Sequence, residues 1–240
     1  IGRSMITKPG IFLLDEPFSN LDAGFRSYMR AELKKLQREL SQTMIYVTHD
    51  QVEAMSMAEK IAIMDRGQLQ QYGSPDDVYN RPSNRFVAGF VGSTTMNFLP
   101  ALLDHSGDDL VITLPVADSR PVTVHPRGAE NGSETFTMGI RPEHIELVEP
   151  GSSAASLRAT VTLLEALGPR YIVNLSSDKF LFRVAVPPTV RPRVGESVGP
   201  GSARTDRHDH AACRPLRLVA LGSGGRPGFD PGHHACGAQY

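Results

Sequence analysis

The sequence predicts an α/β segment over residues 1–92, an all-β barrel-like domain over 93–199, and a tail from 200 to 240 that fits neither. Three observations predict this. Two runs of consecutive apolar residues flank an amphipathic helix, as in a strand–helix–strand unit. From residue 93 the texture changes to short β-rich runs separated by Gly, Pro, Asp and Ser. After residue 200 the residue usage changes abruptly.

Ile11, Phe12, Leu13 and Leu14 form the first apolar run and predict a strand buried on both faces, as in a parallel sheet. Asp15 and Glu16 follow at its carboxyl end, where α/β folds place ligand chemistry. Neighbouring strand residues point opposite ways, so one acid can hold a magnesium ion and the other a water. Phosphoryl transfer needs that division, because charge must be neutralised and a nucleophile oriented. A solvated acidic turn accounts for an isolated Asp-Glu pair equally well.

The next segments remove that ambiguity. Phe25, Met29, Leu33, Leu36 and Leu40 recur at helical spacing, with Arg26, Arg30, Glu32, Lys34, Lys35 and Arg38 on the other faces. Residues 43–47 form a second buried-strand run that delivers Thr48, His49 and Asp50. His49 lies 33 residues after Glu16. A strand, crossover helix and parallel strand set Glu16 and His49 at one sheet edge.

At these residues the chain resembles the ATP-binding subunits of ABC importers of the maltose and glycerol-3-phosphate uptake type. Residues 11–16 resemble the Walker B strand, 19–22 the D-loop, and His49 the switch histidine. Residues 46–55, Tyr-Val-Thr-His-Asp-Gln-Val-Glu-Ala-Met, are worded as in importers for sugars and related solutes. The resemblance implies ATP and Mg2+ as cofactors, with Asp15 acting on magnesium through a water. It makes Glu16 the general base or water-positioner and places His49 on the γ-phosphate. Ser19, Asn20 and Asp22 would lie at the nucleotide and face a second ATPase subunit in a homodimer. Transmembrane permease subunits, and indirectly a solute-binding protein, are the further implied partners. The implied location is the cytoplasmic face of the plasma membrane, reached through the permease.

Two parts of that family's pattern are missing. A phosphate-binding loop reads Gly-x-x-x-x-Gly-Lys-Ser/Thr, yet none of Lys8, Lys34, Lys35, Lys60 and Lys179 follows a glycine. No Leu-Ser-Gly-Gly-Gln signature is present. Residues 1–5 resemble the helix after that signature, so the expectation is the carboxyl-terminal part of a longer protein, inactive alone. The alternative is a non-catalytic regulatory or dimerisation fragment whose working part is the β domain.

Asp50 is placed to cap a short helix through Ala58, and residues 60–65 alternate into a strand. Arg66 and Gly67 make a two-residue turn into a hairpin partner at 68–72. Ser74, Pro75, Asp76 and Asp77 form a helix start, and Ser83 begins another helix through Val91. By resemblance these elements close the nucleotide-binding domain, with its exit at 86–92.

Strands are then expected at 110–114, 122–124, 136–140, 145–148, 159–167, 171–175 and 180–186, a small barrel or sandwich. Residues 139–144, Gly-Ile-Arg-Pro-Glu-His, resemble a loop of the OB-type accessory (TOBE) domain of these importers. The simpler role for Arg141, Glu143 and His144 is structural, as a satisfied polar turn.

A formal net charge of −1 gives no basis for a polyanion partner, so nucleic acid is not expected. No apolar run reaches the ~18 residues of a membrane span. Residues 201–240 carry five arginines, no lysine, no glutamate, four histidines and both cysteines. His208, His210, Cys213, His233, His234 and Cys236 offer zinc-ligand types, but their spacing matches no closed zinc module. The tail is expected to be disordered.

Overall fold

The computed structural model describes residues 10–40, 42–106, 109–115, 119–124, 135–178, 180–202 and 218–221. The segment at residues 1–5 and all six tail cysteines and histidines lie outside the described residues.

Strand β1 (Ile11–Asp15) pairs in parallel with β2 (Thr43–Val47), Leu13 opposite Ile45 and Asp15 opposite Val47. Helix α1 (Ala23–Leu40) connects them. Its stripe is buried most deeply at Leu33, while Phe25 is exposed and ring-stacks with Tyr28. The expectation of strands buried on both faces is not met. Phe12 is buried, but Ile11, Leu13, Ile45 and Val47 on the opposite face are exposed, Leu13 by 74%. The physical reason is that this sheet has two strands among the described residues, and nothing described covers its second face.

Helix α2 (Gln51–Met57) starts at Asp50, whose side chain accepts from the Val52 and Glu53 amides. Strands β3 (Ile61–Asp65) and β4 (Gln68–Gly73) form the expected hairpin. Its turn residues Arg66 and Gly67 both have positive φ, 48° and 77°, as a tight hairpin with right-handed twist requires. Helix α3 (Pro75–Asn80) carries a full capping box between Ser74 and Asp77. Helix α4 (Arg85–Phe90) is capped by Asn84, one residue beyond the serine expected to begin it. The asparagine oxygen reaches the Val87 amide at 2.9 Å and so wins the cap. Ile61, Ile63, Val78, Val87 and Val91 form the core of this part.

The remaining strands are β5 (Asn97–Ser106), β6 (Asp109–Thr113), β7 (Val122–Val124), β8 (Thr135–Ile140), β9 (Ile145–Val148), β10 (Ala159–Ala166), β11 (Tyr171–Ser177), β12 (Phe180–Val186), β13 (Ser197–Ser202) and β14 (Leu218–Leu221). They make two five-stranded antiparallel sheets, ordered β12-β11-β10-β13-β9 and β14-β8-β5-β6-β7. No single ladder closes into a ring among the described residues. Both sheets feed one core: Leu99, Met138 and Ile140 from one meet Val161, Val173 and Val184 from the other. Asn97 stitches them together, donating to the Arg183 carbonyl at 2.8 Å and accepting from the Arg183 amide at 2.7 Å.

Strand β5 is absent from the sequence reading because Pro100 interrupts its pattern. The register shows how the proline is tolerated. Pro100 pairs with Thr137 of β8, while β6 engages β5 only from Leu102 onward, so one side of β5 is an edge at Pro100.

The boundary expected at 199 also shifts. β13 continues to Ser202, opposite Ile145, and β14 pairs with Met138, Gly139 and Ile140 inside the segment expected to be disordered. A four-residue apolar run in an Arg/Gly-rich context gives little periodicity to read.

Gly201 shows how close β13 lies to its neighbour. A Cβ there would sit 2.1 Å from the Ala154 carbonyl oxygen, a backbone atom that cannot swing aside. Gly201→Ala is therefore expected to lower unfolding stability by about 1–3 kcal/mol, the usual cost of overpacking. An unchanged urea midpoint would contradict that close approach.

Candidate functional site

The site begins where β1 stops. The Glu16 amide still donates to the Val47 carbonyl, at 2.9 Å, so pairing runs one residue past Asp15. Glu16 then adopts φ 42°, left-handed backbone for a non-glycine residue. That conformation costs about 1–3 kcal/mol and collects at functional sites. It also replaces the simple strand alternation expected for Asp15 and Glu16.

The loop beyond is a series of tight turns. The Ser19 amide and hydroxyl both donate to the Glu16 carbonyl, at 3.2 and 3.0 Å, and the Leu21 amide donates to Phe18 at 3.1 Å. Phe18 is the anchor, 1% exposed, with its ring 6.1 Å from that of Tyr46. Asp22 caps α1 by accepting from the Phe25 amide at 3.0 Å. Asp15, Asn20 and Asp22 are exposed on this edge.

The second loop comes from β2. Thr48 and Tyr46 both donate to Glu53 Oε2, at 2.9 and 2.7 Å, and Glu53 is 4% exposed. The Asp50 amide in turn donates to the Thr48 hydroxyl oxygen at 2.9 Å. Burial, and then the hydrogen bond to Glu53, raise the Tyr46 phenol above its ordinary range. A buried carboxylate accepting two hydroxyls is thus the brace under the His49 loop. Glu53 is missing from the sequence reading. Its only signal was an acid three residues after a helix cap, which reads as ordinary capping.

His49 and Glu16 meet across the gap. The imidazole Nδ1 donates to Glu16 Oε1 at 2.7 Å, with the histidine side chain 76% exposed and the glutamate 43%. The hydrogen bond to Glu16, and then its charge, raise the His49 pKa above the ordinary imidazole value. A raised pKa means that the pair's contribution is fully present below the unfolded value of about 6.5. It is lost as pH rises through the higher folded value. An exposed pair of this kind carries little stability. The expected result is a His49 titration, followed by ring NMR, with its midpoint above that of a solvated histidine and lowered in Glu16→Gln. A midpoint unmoved by the substitution would deny the pairing.

Among the described residues no group of three or more His, Cys, Asp and Glu gathers into a metal cage. Magnesium does not need one. It is commonly held by one or two carboxylates plus substrate phosphates, and the exposed Asp15 carboxylate at the strand end suits that mode.

A second cluster joins the two parts of the chain. Arg141 precedes a short 3-10 helix (Pro142–His144) and is 2% exposed. Its guanidinium donates to the Val91 carbonyl at 2.6 Å and the Tyr79 carbonyl at 2.7 Å, and lies 3.8 Å over the Tyr79 ring. The Tyr79 hydroxyl donates to Glu143, and burial with that contact pushes its pKa up to about 12. Gln51, two residues past His49, donates to the Phe90 carbonyl and accepts from the Gly92 amide at 2.9 Å. Arg141 and the Tyr79–Glu143 contact tie the β domain to α3 and α4 rather than bracing only their own turn, and that turn is not fully satisfied as expected, since Glu143 Oε2 is buried with no hydrogen-bond partner.

Comparison with known proteins agrees with this architecture. Residues 138–201 match the family model described as TOBE domain. The curated relatives are import ATP-binding proteins. The maltose/maltodextrin import ATP-binding protein MalK of Photobacterium profundum is 41% identical over 225 residues, covering 90% of this chain and 60% of that protein. The trehalose/maltose import ATP-binding protein MalK of Thermococcus litoralis is 48% identical over 183 residues, covering 73% and 48%. The sn-glycerol-3-phosphate import ATP-binding protein UgpC of Vibrio cholerae is 44% identical over 174 residues, covering 72% and 44%. The chain is a homologue of these ABC importer ATP-binding proteins and carries a TOBE domain. It spans about half the length of the curated relatives it matches. No helix among the described residues is long and apolar enough to cross a membrane.

Proposed function

We propose that residues 11–57 supply the hydrolytic edge of a nucleotide-binding domain that energises an importer for sugars or related solutes. The observation that carries this reading is the 2.7 Å contact between Glu16 and His49 at the carboxyl end of a parallel strand pair. Glu16 holds the attacking water and takes its proton as the bond to the γ-phosphorus forms and the bond to the bridging oxygen breaks. His49 keeps the carboxylate aimed and offers its other ring nitrogen to the γ-phosphate. Asp15 would hold Mg2+, which neutralises phosphate charge when bound. Ser19, Asn20 and Asp22 present the loop that faces a second ATPase subunit. The membrane permease and a solute-binding protein are the remaining partners, and the location is the cytoplasmic membrane face.

The alternative reading makes the β domain the working part of a non-catalytic fragment. The observation behind it is the TOBE-domain match over residues 138–201. One experiment separates the two. The residues that precede the match in the Photobacterium profundum relative are fused ahead of this chain, and Mg-ATP hydrolysis is measured for the chimera and for the chain alone. Hydrolysis by the chimera alone, abolished by Glu16→Gln, supports the catalytic reading. A chimera that binds ATP but turns over no faster than its Glu16→Gln variant overturns it.

A further inference from the structure

The Glu16 and His49 loops are joined a second time, behind the reacting edge. Arg26, on the first turn of α1, donates from Nη2 to the Leu21 carbonyl at 3.0 Å. Its Nη1 lies 3.6 Å from Asp50 Oδ2, both side chains being about two-thirds buried or more. Leu21 closes the second of the two turns that follow Glu16, and Asp50 directly follows His49. Asp50 is itself fixed, since its other carboxylate oxygen caps α2 at 2.8 and 3.2 Å. The fork of one guanidinium therefore spans both loops, which a lysine ammonium does not do with the same geometry. Its Nε is buried with no hydrogen-bond partner, so packing rather than full hydrogen bonding holds the group in place.

We infer that Arg26 is a positioning residue, coupling the 16–22 loop to the His49 loop so that movement of one is carried to the other. The inference rests on the catalytic reading above for its consequence, but not for its geometry. When the 19–22 turn shifts on seating against a partner subunit, the Leu21 carbonyl moves Arg26. Arg26 then draws on Asp50 and resets His49 against Glu16. Neither Arg26 nor Asp50 needs to touch nucleotide. The effect belongs in turnover rather than in ATP affinity, because small misplacements of catalytic groups cost rate steeply.

The test has two readouts. In the 240-residue chain, the ring 15N shifts of His49 at one fixed pH report its hydrogen bond to Glu16. Arg26→Gln is expected to move them toward those of a solvated imidazole, with Arg26→Lys intermediate. Asp50→Asn keeps a good helix cap while removing the ion pair, and is expected to move them the same way. In the chimera, the same variants should lower kcat by about tenfold to a hundredfold with ATP KM little changed. The Arg26→Gln/Asp50→Asn double variant should be no worse than either single one, as for residues acting as a unit. Wild-type His49 shifts in Arg26→Gln, or additive losses in the double variant, would overturn the coupling. If the chimera fails to hydrolyse ATP while the shifts move as described, the catalytic reading falls and the coupling stands.

Discussion

Glu16→Gln in the ATP-hydrolysing chimera is expected to leave nucleotide binding intact and to lower turnover by about two to four orders of magnitude, the usual contribution of a positioned general base. The amide keeps the size and one acceptor oxygen of the carboxylate but cannot take a proton from water. Binding survives because phosphate recognition comes chiefly from a phosphate-binding loop and magnesium. His49→Ala should lose rate over a similar range, since the imidazole is the group hydrogen-bonded to Glu16 at 2.7 Å. A single-turnover measurement separates chemistry from product release. Near-wild-type rates for either variant would remove that residue from the proposed mechanism. The left-handed backbone of Glu16 sharpens the comparison: glutamine has the same strain there, so the change isolates the carboxylate.

Arg141→Ala is expected to have the largest effect on stability, about 2–6 kcal/mol, because two carbonyls are left without their donor. Two carbonyls, Val91 and Tyr79, lose their donor together. Each buried polar group left unsatisfied costs about 1–3 kcal/mol, and loss of the stacking on Tyr79 adds a further desolvated cation–π contact. Arg141→Lys should recover only part of this, because a compact ammonium lacks the planar fork that reaches Val91 from one nitrogen and Tyr79 from another while stacking on the Tyr79 ring. Gly92 belongs to the same joint. With φ 129°, it leaves Arg141 Nη1 only 2.7 Å from where a Cβ would stand, so Gly92→Ala should act in the same direction. Urea unfolding followed by tyrosine fluorescence and far-UV circular dichroism reads both changes. A loss below about 1 kcal/mol for Arg141→Ala, the scale of a single surface contact, would mean that the joint is wetter than its geometry implies.

Much of the fold was legible because its signals are local. The stripe on α1, the Asp50 and Ser74 caps, and the Arg66-Gly67 turn each depend on a few neighbouring residues. The structure finds the caps and the turn in place and the stripe in part, with Leu33 buried and Phe25 exposed. The two larger failures, at β1 and β5, share a different cause. Whether β1 is covered on two faces depends on what else packs there, and apolar composition alone does not say. Pro100 reads as a strand breaker until the register shows its edge position. Asn84 displaces Ser83 as a cap through the direction of one side chain.

The candidate site divides along the same line. The apolar runs, the helix between them and the crossover rule were enough to set Glu16 and His49 at one sheet edge, since chain direction and handedness follow from local stereochemistry. Only the tertiary structure closed them to hydrogen-bonding distance, put Glu53 beneath the His49 loop and Arg26 behind both, and turned Arg141 from a loop residue into the joint between two parts of the chain. The reason is range. Helix, strand and turn preferences act over a few residues, whereas the Glu16–His49 and Arg141–Val91 contacts span 33 and 50 residues, and the shorter-range Glu53 and Arg26 contacts take shape only once the strand, loop and helix around them have packed.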